Sequence, residues 1–348
     1  MRALASTTFT LALFIAAGIA RAADQLPGLT FNHGDWELVC DNTGTCRAAG
    51  YQVDGAEATL SVLLTRKAGP GQPVTGALTI GDFSETRKKA PDKLRLALRI
   101  DERTVGPQIN ADADALHDSQ VAALLKALRG SSSIAFTMGK HRWELSGKGG
   151  AAVLLKMDEF QRRLGTRGAL LKPGAGSEDQ VLAPQPALVV TTPALAPAQP
   201  GDDDIVRKDA KGLQAALQTT LGNDVHCPDL AEKPAFSLTR LSRTHLVVSS
   251  SCWSAMYNQG QGYWVIEAMP GYRPVLVTDS ATEHNGGTIS ASHKGRGIGD
   301  CWSRQEWRWN GKAFVQTLAN SSGMCKMVVA GGPWTLPRIV TEVREAPR

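Results

Sequence analysis

The stretch Pro173 to Asp204, PGAGSEDQVLAPQPALVVTTPALAPAQPGDDD, constrains the fold more than any other. It is rich in Pro and Ala, has no aromatic residue and ends in three consecutive aspartates. Such a composition offers little apolar surface against the entropy of ordering it, so it predicts a semi-extended linker over 173–204. On both sides lie segments with strand-like alternation, tryptophans and cysteines. The expectation is two domains: 23–172, and 205–348 after the linker. A chain of 348 residues is also longer than most single domains.

The first residues have the pattern of a secretory signal. Arg2 is the positive end, Leu11 to Ile19 the apolar stretch, and Ala20-Arg21-Ala22 fits small-x-small cleavage, so residues 1–22 are expected to be removed. A membrane anchor is the competing reading, but the apolar run falls short of the roughly 20 residues a spanning helix needs. No transmembrane segment is expected in the mature chain, and no cysteine follows the cleavage site to carry a lipid. The expected location is periplasmic or secreted.

Loss of Arg2 and Arg21 leaves 36 of the 38 basic residues against 33 acidic ones, a mature net charge of +3. The only basic clusters, Arg87-Lys88-Lys89 and Arg162-Arg163, are short and lack interleaved aromatics, which argues against nucleic acid as a partner. Both read as solvated faces.

The six cysteines all lie in the exported part, and in an oxidising compartment an even number implies disulfides. Cys40 and Cys46 can pair only with each other inside the first domain. Cys227, Cys252, Cys301 and Cys325 allow three connectivities, of which sequential pairing is the expectation. Zinc is the alternative, but no CxxC pair or Cys/His cluster at finger spacing is present, so no metal or other cofactor is expected.

Trp36, Leu38 and Cys40 alternate onto one face of a strand, and turn residues Asp41 to Thr45 lead into a returning strand at Cys46 to Tyr51. Further strands are predicted at 58–65, 74–80 and 94–100, with a hairpin at 133–138 and 141–145. A helix is expected from Asp118 or Ser119 to Leu128, and another over 151–164 with Leu155, Phe160 and Leu164 inward. In the second domain a helix over 205–221 precedes strands at 236–241, 244–249, 262–266, 275–278 and 306–309. Turns are expected at Gly260-Gln261-Gly262, Asn285-Gly286-Gly287 and Asn310-Gly311. The fold class is therefore α+β: two domains of antiparallel strands with a few short helices.

The run Asp35-Trp36-x3-Cys40-Asp41 followed by Cys46-Arg47-Ala48-Ala49-Gly50-Tyr51 resembles the start of an exported proteobacterial family known as domain of unknown function 1176. The order of strands, short helix, SSSIAFTMG hairpin and closing helix also resembles the invasion-associated locus B family, over the first domain alone. That family's cysteine pair has no counterpart between Ile100 and Leu124. The resemblances imply an exported protein and carry over no catalytic residue.

For chemistry, the densest run is Asp300 to Trp309, DCWSRQEWRW. On an extended strand Trp307 and Trp309 share a face, which suggests an aromatic platform for a sugar or peptide, formed with Trp302, Arg304, Tyr257 and Tyr263. The competing reading of Trp307 and Trp309 is a packed sheet face. Ser254 lacks a nucleophile elbow, and Gly295-x-Gly297-x-Gly299 lacks the lysine and helix of a phosphate loop. The residues point to a non-catalytic binding module for an envelope protein or glycan. The rival is a hydrolase using Glu283, His284 and His293, or Asp300 with Glu306. An invasion-related envelope factor is a third possibility, resting on the locus B resemblance alone.

Overall fold

The computed structural model describes residues 26–82, 95–110 and 115–347. The expected signal and the Arg87-Lys88-Lys89 cluster lie outside these. Strands β1 (Leu29–His33), β2 (Trp36–Cys40), β3 (Cys46–Tyr51), β4 (Leu60–Arg66) and β5 (Val74–Ile80) form an antiparallel meander in that order. A second sheet, ordered β7-β6-β8-β9, comprises β6 (Arg95–Ile100), β7 (Arg103–Asn110), β8 (Ile134–Met138) and β9 (His141–Leu145). Trp36, Leu38 and Cys40 do share one face, and they meet Leu96, Phe136 and Trp143 of the second sheet in the largest core.

Helices α1 (Asp118–Ala127) and α2 (Gly150–Phe160) close that core with Val121, Leu124, Val153, Leu154 and Met157. The second helix is shorter than expected. Arg162 adopts a left-handed φ of 55°, which ends the helix and leaves Leu164 exposed instead of inward. The same break turns Arg163 into the interior, so Arg162-Arg163 is not a solvated pair: Arg163 donates to Glu178 Oε1 at 2.6 Å while itself buried.

This contact begins an unexpected feature of 173–204. Most of that segment's residues are exposed, but it is anchored to the rest of the protein at several points along its length. Glu178 accepts from the Gly71 N–H at 2.5 Å, and that bond holds its carboxyl below the ordinary range, the Arg163 charge lowering it further against a smaller upward push from burial. Val181 and Leu182 are buried, and the Leu182 N–H donates to the Gln161 carbonyl at 2.9 Å. Strand β10 (Leu188–Thr192) then pairs, in parallel, with the final strand β20 (Thr341–Glu345). Leu195 packs on a downstream core, and Asp202 forms a buried ion pair with Arg240. A strap whose backbone groups find partners and whose few aliphatics are buried is ordered by tertiary contact, which composition does not register.

The second half is three-layered. Helix α3 (Asp204–Gln218) and the short α4 (Asp229–Glu232) cover a four-stranded antiparallel sheet of β11 (Ser237–Arg240), β12 (His245–Ser254), β13 (Gln259–Glu267) and β14 (Val275–Ala281). Leu213, Leu217 and Leu230 of the helices meet Leu246, Val248, Trp264 and Ile266 of that sheet. Behind it lies a five-stranded antiparallel sheet of β15 (Glu283–Asn285), β16 (Thr288–Lys294), β17 (Trp302–Trp309), β18 (Phe314–Ser321) and β19 (Leu336–Ile339). Gly260-Gln261-Gly262 is not a turn but part of β13. A methyl at Gly260 would overlap the indole of Trp253, and one at Gly262 that of Trp264. Glycine is required here because tryptophan rings lie directly on the backbone.

The two halves are in direct contact. Val39, Ala49 and Tyr51, on the second face of the first sheet, pack with Val328 and Leu336 from the chain's end. The Met324 N–H donates to Glu37 Oε1 at 2.7 Å, Trp334 Nε1 to Ser61 Oγ at 2.7 Å, and Asn42 exchanges two hydrogen bonds with Val340. Three disulfides, Cys40–Cys46, Cys227–Cys252 and Cys301–Cys325, follow the sequential pairing. No helix among the described residues is long and apolar enough to cross a membrane.

Candidate functional site

The structure divides the six residues expected to bind. Trp307 and Trp309 are buried between the two sheets of the second half, beside Tyr263, Val265 and Ile289. That face of β17 looks inward onto β12 and β13, so its alternation reports a core and not a platform. Tyr263 is buried there too, its ring 5.6 Å from that of His284. Trp302, Arg304 and Tyr257 remain on the surface, half-buried, exposed and exposed respectively.

Trp302 and Tyr257 both border the loop joining β16 to β17. The Lys294 ammonium sits 5.5 Å from the Trp302 ring centroid, and Trp302 Nε1 donates to the Gly299 carbonyl at 3.0 Å. The β12–β13 loop is fixed to this one by a reciprocal pair: Asn258 Nδ2 donates to the Lys294 carbonyl at 2.9 Å, and the Lys294 N–H to Asn258 Oδ1 at 3.0 Å. Tyr257 lies so close over Gly297 that a methyl there would touch its ring at 3.6 Å. On this frame Met256 is 98% exposed and Ile298 52%. Sequence reasoning missed both, having considered the Gly295-x-Gly297-x-Gly299 run that carries Ile298 only as a phosphate loop.

Buried bonds tie this frame together. Asp300 is fully buried and accepts from Arg296 Nε at 2.7 Å, Arg296 Nη2 at 2.5 Å and the Met327 N–H at 2.6 Å. Burial pushes its carboxyl up, but the Arg296 and Met327 bonds outweigh this and hold it below the ordinary range. Cys301–Cys325 ties the same corner to the segment that packs on the first half. Asp300 lies beside both of these sulfurs, and because the sulfurs are bonded to each other they are not thiolate ligands.

The residues proposed for hydrolysis do not converge. His284 stands opposite Ile289 in the β15–β16 register, and His293 lies four residues further along β16, about 13 Å away at 3.3 Å per residue. Burial lowers the His284 pKa, while His293 Nε2 is 2.7 Å from the Ser280 carbonyl. Glu306 bonds Arg308 and Thr317, and Asp300 is engaged by Arg296.

A β-rich fold with all six cysteines bonded and a rigid apolar loop cluster defines the class only broadly. The chain belongs to the family described as protein of unknown function DUF1176, whose model matches residues 30–341. It is similar to the uncharacterized protein YpfG of Escherichia coli (strain K12), at 25% identity over 313 residues, covering 80% of this chain and 84% of that one. No solved structure matches it.

Proposed function

We propose that this is an exported envelope protein that acts by binding another protein, through the loop cluster of Met256, Tyr257, Ile298 and Trp302. The observation that supports this is the exposure of large apolar side chains on loops that a disulfide and a buried ion pair hold rigid. A large side chain as exposed as Met256, on loops fixed to one another, suits a partner's surface, and loops held in place forfeit little entropy on binding. A glycan is the weaker choice. Lys294 covers the Trp302 ring and the indole N–H is already bonded, so little of that ring is open for a sugar to stack on. The disulfides are compatible with an oxidising compartment, and the two halves, 23–172 and 205–348, work as one unit through the strap and the shared core.

The test is affinity capture by the mature oxidised chain from envelope extract, beside a Met256→Ser/Ile298→Ser variant and with purified peptidoglycan as a second bait. Specific protein retention that the variant loses, with its circular dichroism unchanged, supports the reading. Retention by peptidoglycan alone, or retention indifferent to the substitutions, refutes it.

A further inference from the structure

A separate site lies at the opposite kind of surface, a concave one. The interior between the two sheets of the second half is open at one end. A cavity of about 430 Å³ is lined there by Val265, Val275 and Val277 of the inner sheet and by Trp307 and Phe314 of the outer one. All of these but Val275 also belong to the inter-sheet core further in, so the cavity is an extension of the core to solvent. Val275 at its rim is 63% exposed. His245 and Glu267, which face each other in the β12–β13 register, separate it from a second cavity of about 650 Å³ bounded by the strap residues Gln199 to Asp202. Both volumes fall in the range of small-molecule sites, which are apolar with a few polar groups at the edge.

The charged groups around the rim are mostly basic. Arg273 and Lys312 border the smaller cavity and Arg243 the larger, while Glu267 and the already paired Asp202 are the only carboxylates. Arg240 and Asp202 neutralise each other, and Arg273 lies 3.3 Å from Glu267, which leaves Lys312 and Arg243 uncompensated among the lining groups. An apolar slot with a cationic mouth selects a molecule that is apolar at one end and anionic at the other.

We infer that this inter-sheet mouth is a binding site for a single-chain anionic amphiphile, its chain against Val265, Val277, Trp307 and Phe314 and its carboxylate or phosphate head at Lys312, beside the Arg273–Glu267 pair. The inference does not depend on the loop cluster, which belongs to other loops.

The experiment is calorimetric titration of the full mature chain with dodecanoate and dodecyl phosphate, each below its micelle concentration, beside dodecanol, dodecyltrimethylammonium and inorganic phosphate. Both anionic chains are expected to bind saturably and at least tenfold tighter than the alcohol, and the ammonium and inorganic phosphate not at all. Arg273→Glu/Lys312→Glu, both on the surface, should abolish that preference while leaving dodecanol unchanged. Val275→Trp, at the exposed rim, should block every chain, with circular dichroism confirming the fold. No saturable binding, equal binding of the ammonium, phosphate alone binding as tightly, or indifference to charge reversal each overturns the inference.

Discussion

The contact between the halves can be tested at Lys326. Its ammonium lies 2.8 Å from Asp35 and 2.6 Å from Asp54, with side-chain exposures of 9% for Lys326, 10% for Asp35 and 87% for Asp54. Lys326→Met keeps the stem and deletes the charge. Asp54 returns to water at little cost, but Asp35 is left largely buried with only the Ser146 hydroxyl at 2.6 Å as side-chain donor. Removing one partner of a buried pair costs about 3–5 kcal/mol. The retained Ser146 bond and slight exposure place this case near the lower bound, at about 3 kcal/mol. Replacing both, in Lys326→Met/Asp35→Asn, removes the stranded charge and should recover at least about 1 kcal/mol, read as non-additivity in a double-mutant cycle. The assay is urea unfolding followed by tryptophan fluorescence and by circular dichroism. Burial raises the Asp35 carboxyl, but the Lys326 and Ser146 bonds bring it below its ordinary value. Its contribution is therefore present above the ordinary carboxylate pKa and lost as pH falls through the lowered folded value, so the cost of Lys326→Met should shrink in acid. A loss under about 1 kcal/mol at neutral pH, with strict additivity, would refute the argument that this pair joins the halves.

Two further outcomes follow from buried groups. Glu37 is pushed up by burial, an effect only partly offset by its Tyr51 and Met324 bonds. Its proton favours the fold, so wild-type stability should decline as pH rises from the ordinary glutamate value through the raised one, and Glu37→Gln should flatten that slope in urea midpoints. Removing Cys301–Cys325 by double serine substitution, at a separation of 24 residues, should cost about 3.5 kcal/mol by the chain-entropy relation. The wild type under reductant should lose at least as much, and equal midpoints for the serine variant and the oxidised wild type would contradict this.

What the sequence disclosed, it disclosed through short-range chemistry. Strand β2 was legible because Trp36, Leu38 and Cys40 alternate, and the hairpin at Asn285-Gly286-Gly287 because both glycines adopt positive φ. Val39 and Glu37, on the other face of β2, gave no hint of burial, since what covers them lies nearly 300 positions away. The strap illustrates the same limit, as Val181 and Leu182 are too few to signal an anchored segment. In the candidate site Tyr257 and Trp302 were legible as surface aromatics. Trp307 and Trp309 were not separable from them, because alternation gives the face of a strand but not what lies beyond it.

The bond between Asn42 and Val340 spans 298 positions, and that between Glu37 and Met324 spans 287. During synthesis from the N-terminus, the first sheet therefore has only one of its faces covered until residues 324–340 emerge. The strap waits too, because its strand β10 pairs with β20 at the very end of the chain. Loops this long close slowly, and a half-covered sheet exposes Val39, Ala49 and Tyr51 in the meantime. The order of synthesis thus makes the maturation of the first half wait for residues nearly 300 positions downstream, so that loss of residues 324–345 would leave the first sheet unfinished.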